Sequence, residues 1–254
     1  MTNSNQPPSG SGPDRRQALF VLLAAIFLTN ALIAEMVGGK LFQIPLAGLT
    51  LTLSAGALLW PIVFVTSDLI NEYFGRAGVK RLSLVGAAMI AYAFVAIWIC
   101  GFPAAAAFSP VSDASFQQVF RQSRWIIVGS IAAFLVAQLL DVTVFWSLRR
   151  VTGRRQLWLR ATGSTVVSQL VDTLLVGFIG LHLPYRLYGP TQGVDFETFL
   201  RSAASGYLFK FAVAVGATPL LYLGHAVVDG WIGHQEADAL IDAAARPERG
   251  GESS

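Results

Sequence analysis

The sequence predicts an all-α polytopic membrane protein, a bundle of six transmembrane helices, and three observations carry that expectation. Of the 254 residues, 54% are hydrophobic and only 13% are charged, against roughly 25% charged in an ordinary soluble domain. Apolar runs of about 20 residues, the length that crosses a hydrocarbon core about 30 Å thick, recur near 17–37, 51–71, 82–103, 125–148, 162–183 and 204–229. The segments on alternate sides of those runs differ in Lys and Arg, twelve on the side of the N-terminus and six on the other. By the positive-inside rule both termini are cytoplasmic.

Taken in order, residues 1–14 are rich in Ser, Gly, Pro, Asn and Gln and predict a disordered tail. Arg15-Arg16 precedes the first run, Ala18 to Ala34, which no Ala-x-Ala site closes, so it reads as a retained span and not a cleaved signal. Residues 38–49, with Ile44-Pro45, read as an ordered loop. The second run is the least regular, with Pro61 inside it and Asp68, Asn71 and Glu72 at its end. Ser115-Phe-Gln-Gln118 has the form of a capping box, and Phe116, Val119 and Phe120 follow at amphipathic spacing, which predicts a short interfacial helix. Residues 184–203 are the longest connection. The six-helix transmembrane domain is expected over 15–232 and a polar cytoplasmic tail over 233–254, with a short helix at 235–245.

Several chemistries are excluded. The spans use nearly the whole chain, and no phosphate-binding Gly-rich loop, zinc-binding His-Glu-x-x-His helix or Gly-x-Ser-x-Gly turn is present. Cys100 is alone, and His182, His225 and His234 lack ligand spacing. No catalytic residue, metal or cofactor is expected, and the net charge of +3 reads as basic loops, not as nucleic-acid binding.

What remains is a set of polar groups inside apolar helices. On a helix, Thr165, Ser168, Gln169 and Asp172 share one stripe, the rest of the circumference being Val and Leu. A carboxylate near mid-bilayer costs about 2.5–3.5 kcal/mol on insertion scales, so it faces the bundle interior. Thirty-one residues earlier Gln138 and Asp141 repeat the Gln-x-x-Asp spacing, with Phe134 and Phe145 on the same face. Asp68, Asn71 and Glu72 continue the face of Trp60 and Phe64. Lys210, in the last run, calls for a buried carboxylate as its partner. Each has a plainer alternative: Glu72 pairing with Arg76, Asp141 bonding a neighbouring helix, Glu35 resting at the interface beside Lys40. The candidate substrate-binding set is Asp68, Asn71, Glu72, Phe134, Gln138, Asp141, Ser168, Gln169, Asp172 and Lys210. Carboxylates, carboxamides and aromatic faces together suit a small, flat, polar molecule.

Three segments carry a family resemblance: Pro61 through Gly75, Phe134 through Phe145, and Leu157 through Thr173, with Lys210 and Thr218-Pro219-Leu-Leu-Tyr222 in the last helix. Together they resemble the queuosine precursor transporter family, also described as vitamin uptake transporter-like. The resemblance implies a six-helix bundle similar to the substrate-binding S-components of energy-coupling-factor importers. It also implies import across the inner (plasma) membrane of 7-deazaguanine bases, the 7-cyano and 7-aminomethyl precursors of queuosine, for tRNA salvage. The alternative is a substrate-capture subunit for another heterocycle or vitamin, working with a separate ATP-driven module. An intramembrane enzyme lacks a matching motif. The partners expected are a 7-deazapurine and the lipid bilayer, with a homo-oligomer and an energising partner left open.

Overall fold

Large apolar side chains such as Val21, Leu84, Tyr92, Leu174 and Val227 are exposed, while Asp68, Asn71, Gln138, Arg160 and Ser168 are buried. That reverses a soluble protein's surface and matches helices that face lipid and keep polar groups inside. The structure, a computed structural model, describes residues 15–46, 49–120, 124–153 and 155–245. The tail predicted at 1–14, with Arg246 and Arg249, lies outside the described residues. Helix α1 spans Arg15–Val37; a β-hairpin follows, β1 (Leu41–Leu46) and β2 (Leu49–Ser54). Then come α2 (Trp60–Cys100), α3 (Asp113–Phe120), α4 (Arg124–Thr152) and α5 (Leu157–Gly177), which passes through a π-turn into α6 (Leu183–Tyr188). The chain ends with α7 (Phe196–Gly216), α8 (Thr218–Ile232) and α9 (His234–Ala245).

Among the described residues, four stretches are long and apolar enough to cross a membrane: α1, α2, the α4 region and Leu157–Tyr188. The pair α7 and α8, bent by 42° at their junction, makes a fifth. Sequence expectations change here. The connection expected at 184–203 is helical over Leu183–Tyr188 and again from Phe196, and the run at 204–229 is interrupted between α7 and α8. The loop at 38–49 and the start of the run at 51–71 form an antiparallel hairpin, Leu41 opposite Ser54 and Leu46 opposite Leu49. Its cause is the alternation Leu49-Thr50-Leu51-Thr52-Leu53, a period of two that favours a strand over a helix. From Trp60 on, the runs at 51–71 and 82–103 fall in α2, two helical arms that meet at a kink at Gly75, the residue of α2 with non-helical φ and ψ.

Gly75 has φ 72° and ψ −172°, a region open in practice only to glycine. A Cβ there would lie 3.2 Å from the Ala244 carbonyl oxygen. The chain turns back at this point. Phe74 packs edge-on against Phe20 near the start of α1, while a Cβ on Gly56 would strike Ala34 near its end. The arm before Gly75 therefore runs antiparallel to α1. In the arm after it, Gly78 neighbours Phe20 and Gly86 neighbours Phe27, so that arm runs parallel to α1. Leu19, Leu23, Phe27 and Ala31, one stripe at four-residue spacing, are buried in the shared core with Ile70, Leu82, Ile90 and Phe134.

Helices α4 and α5 form an antiparallel pair. A Cβ on Gly163 would lie 3.0 Å from Leu148 at one end, and one on Gly129 would lie 3.1 Å from the backbone nitrogen of Gly180, in the π-turn after α5, at the other. Helix α7 runs back along α5: Phe199 lies against Phe178, Tyr207 Oη donates to the Val166 carbonyl, and Thr162 meets Thr218 at 3.2 Å. Asp195 caps α7, accepting from the backbone N–H of Thr198 at 2.9 Å and its hydroxyl at 2.8 Å. These bonds hold its carboxyl below the usual carboxylate range. The short helix expected in this region is α3, begun by Ser112, whose Oγ accepts from the Ser115 N–H at 3.1 Å, so Ser115 of the expected capping box lies inside the helix and does not cap it. The predicted C-terminal helix is α9, which buries Ala237, Leu240 and Ile241.

Candidate functional site

The antiparallel pairing of α4 with α5 sets Gln138 and Asp141 facing Ser168, Gln169 and Asp172, and the first arm of α2 closes the third side. The resulting cavity is lined by Trp60, Phe64, Ser67, Phe134, Ala137, Gln138, Asp141, Thr165, Ser168, Gln169 and Asp172. Both Gln-x-x-Asp helices thus face one space. Ser168 Oγ donates to Asp141 Oδ1 at 3.2 Å, and Ser67 Oγ to Gln138 Oε1 at 3.5 Å. The Gln169 Oε1, buried, has no hydrogen-bond partner among the described residues. Trp60 and Phe64 stack, centroids 5.7 Å apart, and with Phe134 supply flat apolar walls. Such a space offers acceptors on its polar side and ring faces on the other.

Charge pairs stand at both ends. Near the hairpin, Lys210 Nζ lies 2.5 Å from Asp172 Oδ2, with the two side chains 16% and 12% exposed. The same ammonium lies 5.9 Å from the centre of the Trp60 ring. Glu35 of α1 joins this group, with Ser130, Asp172 and Lys210 around its carboxylate. At the arginine-rich end, Glu72 Oε2 accepts from Arg149 at 3.2 Å and from Arg160 at 2.9 Å. Arg149 also donates to the Ile241 carbonyl of α9 at 3.1 Å, and Arg160 to the Gly153 carbonyl. Trp146 Nε1 donates to Asn71 Oδ1 at 3.3 Å beside them.

Six of the ten sequence candidates line the cavity: Phe134, Gln138, Asp141, Ser168, Gln169 and Asp172. Lys210 reaches it through Asp172. Asp68 lines a second, smaller cavity that shares Phe64 and Thr165 with the first. Asn71 and Glu72 lie beyond both, and Glu72 is held by Arg149 and Arg160, not by Arg76, because the chain reverses between Glu72 and Arg76. Three residues of the charge clusters, Arg149, Arg160 and Glu35, escape sequence reading. Arg160 resembles a loop cation by its neighbours, yet Arg160, Ser164 and Ser168 at four-residue spacing place it on the polar stripe of α5. Glu35 extends the buried stripe Leu23, Phe27, Ala31 by one step and so points inward.

Comparison with known proteins bears on the same segments. A family model described as "Putative vitamin uptake transporter" matches residues 54–224, which contain every residue lining the cavity. The chain is 31% identical over 190 residues to a "Probable queuosine precursor transporter" of Bacillus subtilis, covering 73% of this chain and 76% of that one. It is 28% identical over 182 residues to the "Queuosine precursor transporter" of Escherichia coli, covering 69% and 73%. A third relative, a "Probable queuosine precursor transporter" of Haemophilus influenzae, is 27% identical over 167 residues, 63% of each chain. No solved structure matches the chain.

The Lys210–Asp172 pair gives a direct test of its energetics. Removing one partner of a buried pair leaves an uncompensated charge and costs about 3–5 kcal/mol, whereas replacing both is often near neutral. Lys210→Met and Asp172→Asn should each lower the melting temperature of the purified chain, and the double variant should regain most of the loss. Additive losses would show that the two side chains do not compensate each other.

Proposed function

We propose, from the premise that the chain belongs to the vitamin uptake transporter family, a family of transporters and not of enzymes, that it imports queuosine precursors, 7-cyano- and 7-aminomethyl-7-deazaguanine, across the inner membrane. The observation that carries the substrate class is the polar side of the central cavity. A guanine-type edge presents adjacent N–H donors and a carbonyl acceptor. The carboxylate of Asp141, the free Oε1 of Gln169 and the amide of Gln138 are complementary to it. Trp60, Phe64 and Phe134 suit the faces of a fused ring. The three relatives are named as queuosine precursor transporters, which supports that class of substrate.

In the present conformation the cavity has room for only about one or two water-sized bodies. Loading a base therefore requires the walls to separate, and the Lys210–Asp172 contact is the closure that spans α7 and α5. Transport is then an exchange between a closed form and forms open at either end, with the substrate stabilising whichever form it fits. The two antiparallel arms of α2, counted separately, bring the spans to six. The basic residues Arg15, Arg76, Lys80, Arg149, Arg155 and Arg160 fall at one end, which is cytoplasmic in this reading.

Two measurements test it. Binding of labelled 7-aminomethyl-7-deazaguanine to the purified chain should be displaced by the 7-cyano base at far lower concentration than by adenine or riboflavin. Gln169→Ala removes one neutral acceptor, a change of about 0.5–1.5 kcal/mol, so affinity should fall roughly 2- to 13-fold. Equal displacement by adenine, or an unchanged affinity in Gln169→Ala, would defeat the assignment. For orientation, a membrane-impermeant thiol reagent applied to cells in a Cys100→Ser background should label Gln192→Cys and spare Arg155→Cys. The reverse pattern would invert the topology.

A further inference from the structure

Behind the wall formed by Phe64 and Thr165 lies the second cavity, bounded by Asp68 on α2, Thr162 and Thr165 on α5, and Ala217 and Thr218 where α7 gives way to α8. Asp68 is the one charged side chain on its lining. It is 5% exposed, and its Oδ1 has no hydrogen-bond partner among the described residues. The charges acting on it are the carboxylates of Asp141 and Glu72 and the guanidinium of Arg160. Arg160 is already committed to Glu72, at 2.9 Å. A buried carboxylate beside two others, with one oxygen free, needs a positive charge from elsewhere.

Beside Asp68 the lining carries three threonines, Thr162, Thr165 and Thr218, among six apolar residues. Thr162 and Thr218 meet hydroxyl to hydroxyl at 3.2 Å, and Thr165 lines both cavities. Pro219 lacks the N–H that would carry the α7 ladder into α8, so the helix breaks here. Irregular backbone at membrane depth is tolerated where it lines a cavity, and broken helices are where transporters hold coupling ions. The space admits about one water-sized body, which is the scale of a small cation and far below that of a base.

We propose that this cavity binds Na+, held by Asp68 Oδ1 and the threonine hydroxyls, and that its occupancy is coupled to substrate in the neighbouring cavity. A proton would neutralise Asp68 as well, and the salt and pH arms of the test below separate it from Na+. The cation site stands on its own geometry, and only the coupling rests on the function proposed above. Phe64 and Thr165, shared by the two cavities, provide the coupling, which must be reciprocal: Na+ tightens the base and the base tightens Na+.

The test uses the purified full-length chain in detergent, with ionic strength held constant by choline chloride. A ligand that binds the folded state raises its melting temperature with concentration. NaCl should raise it saturably, and KCl and choline chloride should not. Asp68→Asn should melt at one temperature in all three salts, and Thr162→Val should raise the half-saturating Na+ concentration on the order of tenfold. Equal melting in Na+ and choline, a Na+ response that survives Asp68→Asn, or a stabilisation that follows pH alone would overturn the site, the last making Asp68 a proton carrier. If Asp68→Asn does not fold, Thr162→Val and Thr218→Val decide: unchanged half-saturation in both overturns the proposal. Binding of labelled 7-aminomethyl-7-deazaguanine in Na+ and in choline separates the two readings. Tighter binding in Na+ supports coupling, and equal binding overturns it. A base that binds in neither medium, while Na+ still raises the melting temperature, supports the cation site and defeats the substrate assignment.

Discussion

Glu72 is 3% exposed and is held between Arg149 and Arg160, side chains drawn from two other helices. Charge sunk among apolar helices has no water to answer it, so each ion must find its complement within the protein. That requirement brings α2, α4 and α5 to one point at the arginine-rich end, and through Ile241 it ties α9 to the same point. At the hairpin end Lys210 and Asp172 do the same for α7 and α5, with Glu35 of α1 alongside. Between those ends Asp141 is answered by the Ser168 hydroxyl, and Asp68 keeps an oxygen free. Gln169 Oε1 and Asp68 Oδ1, both without a hydrogen-bond partner among the described residues, belong to side chains that line the two cavities. Asp172 does both, lining the central cavity and pairing with Lys210, so the clamp at the hairpin end is also a wall of the site.

Gly75 makes the clamp possible. Its positive φ lets the chain reverse within one residue, so Glu72 ends one arm while Arg76 begins the next, and Glu72 is presented to Arg149 and Arg160. The same reversal leaves a concave seat for α9, whose Ala244 packs over Gly75. Helix α9 lies beyond the segment matched by the family model, which stops at residue 224. The cavities and the ion clusters they lie between, Glu35 apart, fall inside it. The pocket therefore belongs to the part of the chain that matches the family, and the helix that covers Gly75 belongs to the part that does not.

The helical class and the polar stripes were legible because they rest on composition and on a 3.6-residue period. Two Gln-x-x-Asp repeats on apolar helices can hardly face lipid, and Lys210 needs a carboxylate in the same way. The hairpin was hidden because Leu-Thr alternation satisfies a hydropathy window as well as a helix does. The reversal at Gly75 was hidden because a lone glycine reads alike in a kink, a cap or a helix. Arg160 was hidden for a different reason. Proximity to Arg154 and Arg155 marks it as a loop cation, and only its spacing from Ser164 and Ser168 places it inside. Which carboxylates are neutralised by cations is a property of helix packing, which no local pattern in the chain encodes.

The central claim is that the walls contributed by α4 and α5 grip one ligand, and a double-mutant cycle on Gln138 and Gln169 tests it most directly. Affinity for labelled 7-aminomethyl-7-deazaguanine would be measured on the purified wild type, on Gln138→Ala, on Gln169→Ala and on the double variant. A ligand loosened at one wall reorients against the other, so the double loss should depart from the sum of the single losses by about 0.5–3 kcal/mol. Strict additivity, with all four proteins equally stable, would place the two glutamines in separate environments and contradict a single shared site.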